Sequence, residues 1–186
     1  MAAQSNLKNM ALCLTAVCLI CAAILGVVYS VTYGPIQDAA RKALEESISK
    51  VLPEGGELSD AAVASFRGQN YEYYTSTSDA APVAYAVKSS AIGFGGTLTL
   101  MVGVTPDGVV YNTSVLSHSE TPGLGAKCTT DEKFMAQWQG FDPSAKILSV
   151  KKDGGDVDAI TASTITSRAY ALAVSNAVEF VKNLED

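Results

Sequence analysis

The feature that most constrains this chain is a run of 22 residues, 10–31, without a single charged side chain. A helix of that length spans about 33 Å at 1.5 Å per residue, enough to cross a hydrocarbon core of about 30 Å. Three interpretations compete: an uncleaved membrane anchor, a signal peptide cleaved near residues 21–23, and a buried core helix. The length favours the anchor, because the run continues for eight residues beyond Ala23.

Turn signals and composition divide the chain into four parts. These are a short tail (1–9), the transmembrane helix (10–31), a linker or stalk helix (32–56) and one folded domain (57–186). Pro35 suits the first turn of the linker helix, and Pro53 ends it. Charge does not decide the orientation of the span, because Lys8 alone precedes it and the next bases, Arg41 and Lys42, follow at a distance.

The charge balance excludes one class of partner. After Val31 the chain carries twelve basic and nineteen acidic side chains, and therefore a net charge of −7. Such a body has no basic footprint for a phosphate backbone, so we expect no nucleic-acid binding.

The cysteines do not indicate a metal site. Cys13, Cys18 and Cys21 have the C-x4-C-x2-C spacing that begins a plant-type iron–sulfur run, but they lie inside the apolar span without a glycine-rich loop. We interpret them as small side chains that face lipid or neighbouring helices. Cys128 is the one cysteine outside the span, so the domain cannot form an internal disulfide.

Beyond residue 57 the hydrophobic pattern changes between strand and helix periods, which predicts an α+β fold: one transmembrane helix followed by one mixed α/β domain. The strand patterns lie at 83–89, 97–104, 109–117 and 146–152, and the helix patterns at 131–139 and 166–184. Pro106 and Gly108 predict a tight turn that joins the second and third strands into a hairpin. Residues 60–80 are polar and predict irregular structure.

Two segments contain residue types that a core does not require. In residues 119–127 (SETPGLGAK), glycines on both sides of Leu124 let the backbone approach a flat ligand, and Lys127 can neutralise an anion, although a plain turn explains the glycines too. Residues 161–167 hold five hydroxyl side chains immediately before the terminal helix. One hydroxyl suffices as a helix cap, and a helix N-terminus also attracts phosphate, so both capping and a phosphate-bearing ligand remain open.

The second segment resembles the flavinylation motif of the FMN-binding domain family. That motif is aspartate, two residues, serine or threonine, glycine, alanine and threonine, and here residues 158–164 read DAITAST. Ala162 replaces the glycine and Ser163 the alanine; both are small, but Ala162 requires a backbone conformation open to a Cβ atom. Residues 120–125 (ETPGLG) resemble the family's second motif, a loop that lies against the flavin.

The resemblance implies a cofactor and the residues that hold it. In the family the last threonine of the motif, here Thr164, carries FMN through a phosphoester bond, while the glycine loop gives the flavin ring an apolar face. Neither a catalytic residue nor a metal ligand is implied. The residues assigned to the cofactor are Glu120, Thr121, Gly123, Leu124, Gly125, Lys127, Thr161, Ser163, Thr164 and Thr166.

The chain resembles the G subunits of the Rnf complex, an ion-translocating ferredoxin:NAD+ oxidoreductase, which are homologous to the C subunit of the sodium-translocating NADH:quinone reductase. The resemblance implies an electron-transfer subunit rather than a self-contained enzyme. Its implied partners are other Rnf subunits, membrane lipid, and an FAD-dependent FMN transferase for maturation. The implied location is a single pass through the inner membrane, with a cytoplasmic tail and the FMN domain on the periplasmic, extracytoplasmic side. Two alternatives remain: a membrane-anchored flavoprotein reductase of another substrate, and a cofactor-free membrane-tethered assembly module.

Overall fold

The computed structural model describes residues 7–78 and 81–185. In this part of the chain the α-helices are α1 (Leu7–Val51), α2 (Glu132–Ala136) and α3 (Thr164–Glu185). The strands are β1 (Glu57–Leu58), β2 (Ala62–Phe66), β3 (Gln69–Ser78), β4 (Ala81–Ile92), β5 (Thr97–Val104) and β6 (Val110–Ser117). Short 3-10 helices cover Gly125–Thr129 and Lys151–Asp153. The chain consists of two compact units, Met1–Ala43 and Leu44–Asp186.

The first unit contains most of α1, and the apolar side chains of this part of the helix are exposed. Leu12, Leu19 and Leu25 each leave well over half of their surface uncovered, and the helix has the length and composition to cross a membrane. The linker helix continues from the apolar span without a break, and Pro35 lies inside α1. Because proline has no N–H, the carbonyl of Val31 lacks its usual i+4 donor, and α1 continues with one backbone hydrogen bond fewer.

The second unit is built on one antiparallel sheet. Its strand order is β1-β3-β4-β5-β6, and β2 also pairs with β3. β4 and β5 pair along eight residues, from Tyr85 opposite Val104 to Ile92 opposite Thr97. The predicted hairpin of β5 and β6 is confirmed, with a bulge at each end. The predicted α+β class is therefore confirmed as well.

The two central strands, β4 and β5, are buried on both faces. The C-terminal end of α1 covers one face, where the cluster consists of Ile48, Val51, Leu52, Tyr74, Ala84, Ala86 and Met101. Helix α3 covers the other, against side chains that include Tyr85, Val87, Leu100, Val102, Ala173, Val174, Ala177 and Phe180. Since successive strand residues point to opposite faces, this burial explains why the strand sequences contain so few polar residues.

The end of α1 approaches the sheet closely because β5 has a glycine at the contact. A Cβ atom at Gly103 would lie 1.7 Å from the carbonyl oxygen of Val51. Beside it, Asn112 Nδ2 donates to the Lys50 carbonyl at 2.9 Å and so pairs one of the carbonyls that a helix end leaves free. The predicted linker helix thus ends at Val51, and its last turns belong to the folded domain.

A group of aromatic side chains fills the core beside α3. The ring of Trp138 stacks on Tyr170 with centroids 5.0 Å apart, and Phe134 meets Tyr170 edge to face at 5.1 Å. The Tyr170 hydroxyl lies 2.8 Å from Thr113 Oγ1 on β6, and burial raises the pKa of this tyrosine. The contact joins α3 to the sheet through one satisfied hydrogen bond in an apolar setting.

Two of the predicted secondary-structure assignments are wrong. Residues 79 and 80 of the segment 60–80 lie outside the described residues. The rest of this segment is not irregular: β2 and β3 lie there, because Tyr71 and Tyr73 pack their rings against Phe180 of α3. Residues 146–152 do not form a strand. The carboxylate of Asp156 accepts the N–H of Ile147 at 2.7 Å, and only Val150 forms a β-bridge.

We predict that Gly103→Ala destabilises the domain by about 1–3 kcal/mol, because the new methyl group collides with backbone that cannot move without undocking the end of α1. Urea denaturation of the full chain, followed by fluorescence of the single buried Trp138, measures the change. Gly34→Ala is the matched control, because nothing lies within 4 Å of its Cβ position. Equal stability of the two variants would contradict the close approach at Gly103.

Candidate functional site

The direction of the strands brings the two motif segments together. β4 and β6 both run antiparallel to β5, so their C-terminal ends lie at the same end of the sheet. The turn at 93–96 follows β4 and the loop at 118–125 follows β6. The first turn of α3 completes the group, since Thr166 Oγ1 lies 2.7 Å from Glu120 Oε2.

These three segments enclose a pocket of about 340 Å³, within the usual range for a small-molecule site. Its lining consists of Phe94, Glu120, Thr121, Leu124, Gly125, Ala162, Ser163, Thr164, Ile165 and Thr166. Most of the residues that the sequence assigned to a cofactor are therefore brought together. Gly123, Lys127 and Thr161 lie outside this lining.

The mouth of the pocket has apolar side chains that face solvent. Phe94 is 69% exposed, Ile165 49% and Leu124 44%. The sequence analysis did not assign Phe94 to the site. The available signal was a large aromatic residue between glycines at the end of a strand, where neither the core nor the turn requires one. An open pocket with exposed apolar walls suits a flat, partly accessible ligand.

The hydroxyl-rich segment forms the N-terminus of α3, and its serine and threonine residues have different positions and partners. Ser163 is buried, and its carbonyl accepts the N–H of Ser167 at 3.0 Å, which makes Ser163 the N-cap residue. Ser167 Oγ accepts the N–H of Ile160 at 2.9 Å and donates to the Ser163 carbonyl at 3.0 Å. Thr164 is the first residue of α3, half-buried, in the lining of the pocket. The helix begins two residues earlier than the pattern predicted.

The turn before α3 contains a backbone conformation that favours glycine. Ala162 has a φ of 62°, one of two non-glycine residues with positive φ in the described chain. The turn closes nonetheless, because the N–H of Ser163 donates to the Ile160 carbonyl at 3.0 Å. The family's usual glycine at this position therefore has a physical reason, and Ala162 occupies the left-handed region at a cost.

Glu120 lies at the back of the pocket and is 6% exposed. Its Oε1 accepts the N–H groups of Phe94 and Gly95 at 2.8 and 3.2 Å, and its Oε2 accepts the Thr166 hydroxyl. The N–H of Glu120 donates to His118 Nδ1 at 3.2 Å. Both oxygens of the carboxylate thus accept hydrogen bonds from the protein itself, and Glu120 also belongs to the lining of the pocket.

Other polar groups near the motif do not enter the pocket. The carboxylate of Asp158 is exposed and pairs with Lys151 at 2.8 Å, and that hydrogen bond holds the pKa of Asp158 below its usual range. Cys128 is buried, and its burial together with the negative charge of Glu120 raises the pKa of its thiol to about 11. Across the described residues no group of three His, Cys, Asp or Glu side chains could hold a metal ion.

We predict that Ala162→Gly raises the free energy of unfolding by about 0.5–1 kcal/mol. Glycine relieves the strain that alanine has in the left-handed region. Part of that gain is offset because glycine loses more conformational entropy on folding. Ala159→Gly, three residues earlier at an ordinary φ, is the control and should destabilise. Thermal unfolding of the two variants decides, and a loss of stability in Ala162→Gly would contradict the strained turn.

Residues 93–179 match the FMN-binding domain family. The chain is 34% identical to the G subunit of the proton-translocating ferredoxin:NAD(+) oxidoreductase complex of Clostridium ljungdahlii, over 90% of this chain and 88% of that protein. It is also 34% identical to the G subunit of the ion-translocating oxidoreductase complex of Shewanella amazonensis, over 96% and 89%. The crystal structure of Shewanella oneidensis NqrC matches 62% of this chain and 61% of its own with a TM-score of 0.49 at 22% identity. The chain belongs to the family of G subunits of ion-translocating oxidoreductase complexes, and it contains that family's FMN-binding domain.

Proposed function

We propose that this protein is an electron-transfer subunit of a membrane-bound ion-translocating ferredoxin:NAD+ oxidoreductase complex, and that Thr164 carries FMN as a phosphoester. The position of Thr164 in the structure is the observation that most supports this assignment of the cofactor. It is the first residue of α3, it is half-buried, and it lines the pocket in which the two motif segments meet.

The N-terminus of α3 suits a phosphate group. The N–H groups of residues 164–166 lie in the first helical turn, where no carbonyl four residues earlier is available to them. They can donate to phosphate oxygens, and the positive end of the helix dipole adds about 0.3–1 kcal/mol at such a surface. That energy is too small to retain a cofactor, so a covalent bond at Thr164 would decide whether FMN stays.

The apolar mouth suits the flavin ring. Phe94, Leu124 and Ile165 offer apolar contacts, and Thr121 adds a polar side chain to the lining. FMN itself would supply the capacity to take up and release electrons. The chain's contribution is to hold the ring at an open pocket, where a donor or acceptor on another subunit can approach it.

The structure distinguishes the two neighbouring hydroxyls of the motif. Ser163 is 6% exposed and serves as the N-cap of α3, whereas Thr164 is half-buried at the first helical position. A modifying enzyme needs access to the hydroxyl oxygen that it esterifies. The more accessible Thr164 therefore supports the alignment with the family motif over one shifted by a residue.

An electron carrier explains the pocket better than a reductase of a separate substrate. A reductase usually places a proton donor beside its ring. Among the residues that line this pocket, Glu120 has the only carboxyl group and there is no histidine, cysteine, lysine or tyrosine; that carboxylate already accepts three hydrogen bonds from the protein. A cofactor-free assembly module would leave the pocket and the motif without a purpose.

Family membership and helix α1 also support a location and a set of partners. We propose that α1 anchors the chain in the inner membrane with its tail in the cytoplasm, and that the FMN domain faces the extracytoplasmic side. The partners would be the other subunits of the complex, with membrane lipid around α1. An FAD-dependent FMN transferase would attach the flavin.

We predict that Thr164→Ala abolishes the attachment, because it removes the only atom to which the phosphate would be esterified. Intact-mass spectrometry of protein from a host with the transferase should show wild type heavier by one FMN less water, and Thr164→Ala without that increment. The wild-type band should also fluoresce after denaturation.

Ser163→Ala is the matched control, since it removes the neighbouring hydroxyl and moves the sequence toward the common family motif. It should be modified as wild type is. A fluorescent Thr164→Ala beside a dark Ser163→Ala would assign the bond to Ser163, and wild type without flavin would defeat the proposed function.

We further predict that α1 is retained in the mature protein and that the domain lies outside the cytoplasm. Alkaline phosphatase fused after Asp186 should be active in a host with two membranes, because that enzyme folds only in an oxidising compartment. A fluorescent cytoplasmic reporter fused at the same residue should be inactive. The opposite pair of results would reverse the topology.

A further inference from the structure

We infer that Glu120 is a positioning residue of the flavin pocket, and that it holds the pocket in shape through its hydrogen bonds to the segments on either side. The inference rests on the proposed function, because it assumes that the pocket holds FMN attached at Thr164. It goes beyond the role that the sequence resemblance assigned to Glu120, which was contact with the cofactor.

A single carboxylate connects the three segments that form the pocket. Glu120 belongs to the loop after β6. Its Oε1 accepts two N–H groups of the turn after β4, from Phe94 at 2.8 Å and Gly95 at 3.2 Å. Its Oε2 accepts the hydroxyl of Thr166, in the first turn of α3, at 2.7 Å. The described structure has no other side chain that joins all three segments.

The surroundings are built to admit this carboxylate. A Cβ atom at Gly93 would lie 2.1 Å from Glu120 Oε1, and one at Gly125 would lie 2.4 Å from Oε2 and 2.7 Å from Thr166 Oγ1. No ion pair to Glu120 occurs among the residues described. The three hydrogen-bond donors therefore stabilise the carboxylate. Removing one of them from a buried carboxylate would cost free energy of folding.

The connection determines where the two ends of a bound flavin would lie. Thr166 is two residues from Thr164, the proposed attachment point of the phosphate. Phe94, whose N–H is bound to the same carboxylate, has its ring at the mouth, where the flavin ring would lie. Because FMN has a flexible chain between phosphate and ring, a bond at Thr164 alone cannot orient the ring. The fixed distance between the α3 terminus and the 93–96 turn supplies that orientation.

The test uses three threonine variants of the full chain, flavinylated in the same host. Thr166→Val removes the hydroxyl that donates to Glu120, Thr166→Ser retains it, and Thr113→Val removes a hydroxyl of the core that pairs with Tyr170 away from the pocket. We expect Thr166→Val to lose about half or more of the visible circular dichroism of its flavin, since that signal depends on a fixed ring. Thr166→Ser and Thr113→Val should keep it, even where Thr113→Val lowers the melting temperature.

A second measurement needs no flavin. In protein made without the transferase, Glu120→Ala should speed amide hydrogen exchange at Phe94 and Gly95 by about tenfold or more, because those N–H groups lose their acceptor. Glu120→Gln retains an acceptor oxygen and should exchange more slowly than Glu120→Ala.

The outcomes separate the two proposals. Wild type without flavin would defeat the proposed function, whatever the exchange data show. Flavinylated wild type together with unchanged dichroism in Thr166→Val, or an equal loss in Thr113→Val, would overturn the role of Glu120 alone. Unchanged exchange at Phe94 and Gly95 in a folded Glu120→Ala variant would overturn it as well.

Discussion

Strands β4 and β5 are covered on both faces, by α3 on one side and by the last turns of α1 on the other, and the remaining elements are arranged around them. Such strands must be apolar along nearly their whole length, as β5 is. Close approach on the α1 side depends on Gly103, where a side chain would meet the backbone of Val51. Docking of the last turns of α1 is therefore a packing requirement of the sheet.

The pocket is a consequence of the same arrangement. The chain reverses direction twice between β4 and β6, so the segments after these strands must lie side by side at one end of the sheet. Helix α3, fixed across the sheet by Trp138, Tyr170 and Phe180, brings its N-terminus to that end. Residues that lie 25 to 46 positions from Glu120 in the sequence thus share its carboxylate. The site is open because its apolar walls belong to turns and to a helix end.

The parts of this architecture that sequence reasoning predicted well are those with a local signal. The apolar run, the β5–β6 hairpin and the terminal helix each follow from periodicity or turn chemistry within a few residues. The failures lie where the signal is distant. Residues 60–80 were predicted to be irregular because the tyrosines of β3 become a buried face only against Phe180. Residues 146–152 had a strand pattern, yet the Asp156 carboxylate takes the N–H of Ile147.

By itself the sequence determined that the chain has an apolar span, an α+β domain and two motifs of the FMN-binding family, because each of these is carried by residue types at short, fixed spacings. Only the tertiary structure decided which motif residues are buried, which are accessible and which hydrogen bonds they form. Thr164 is accessible and Ser163 is a buried cap, while Thr166 is committed to Glu120. Phe94 entered the site for the same reason: hydrogen bonds and burial between distant segments exist only once the sheet has brought the strand ends together.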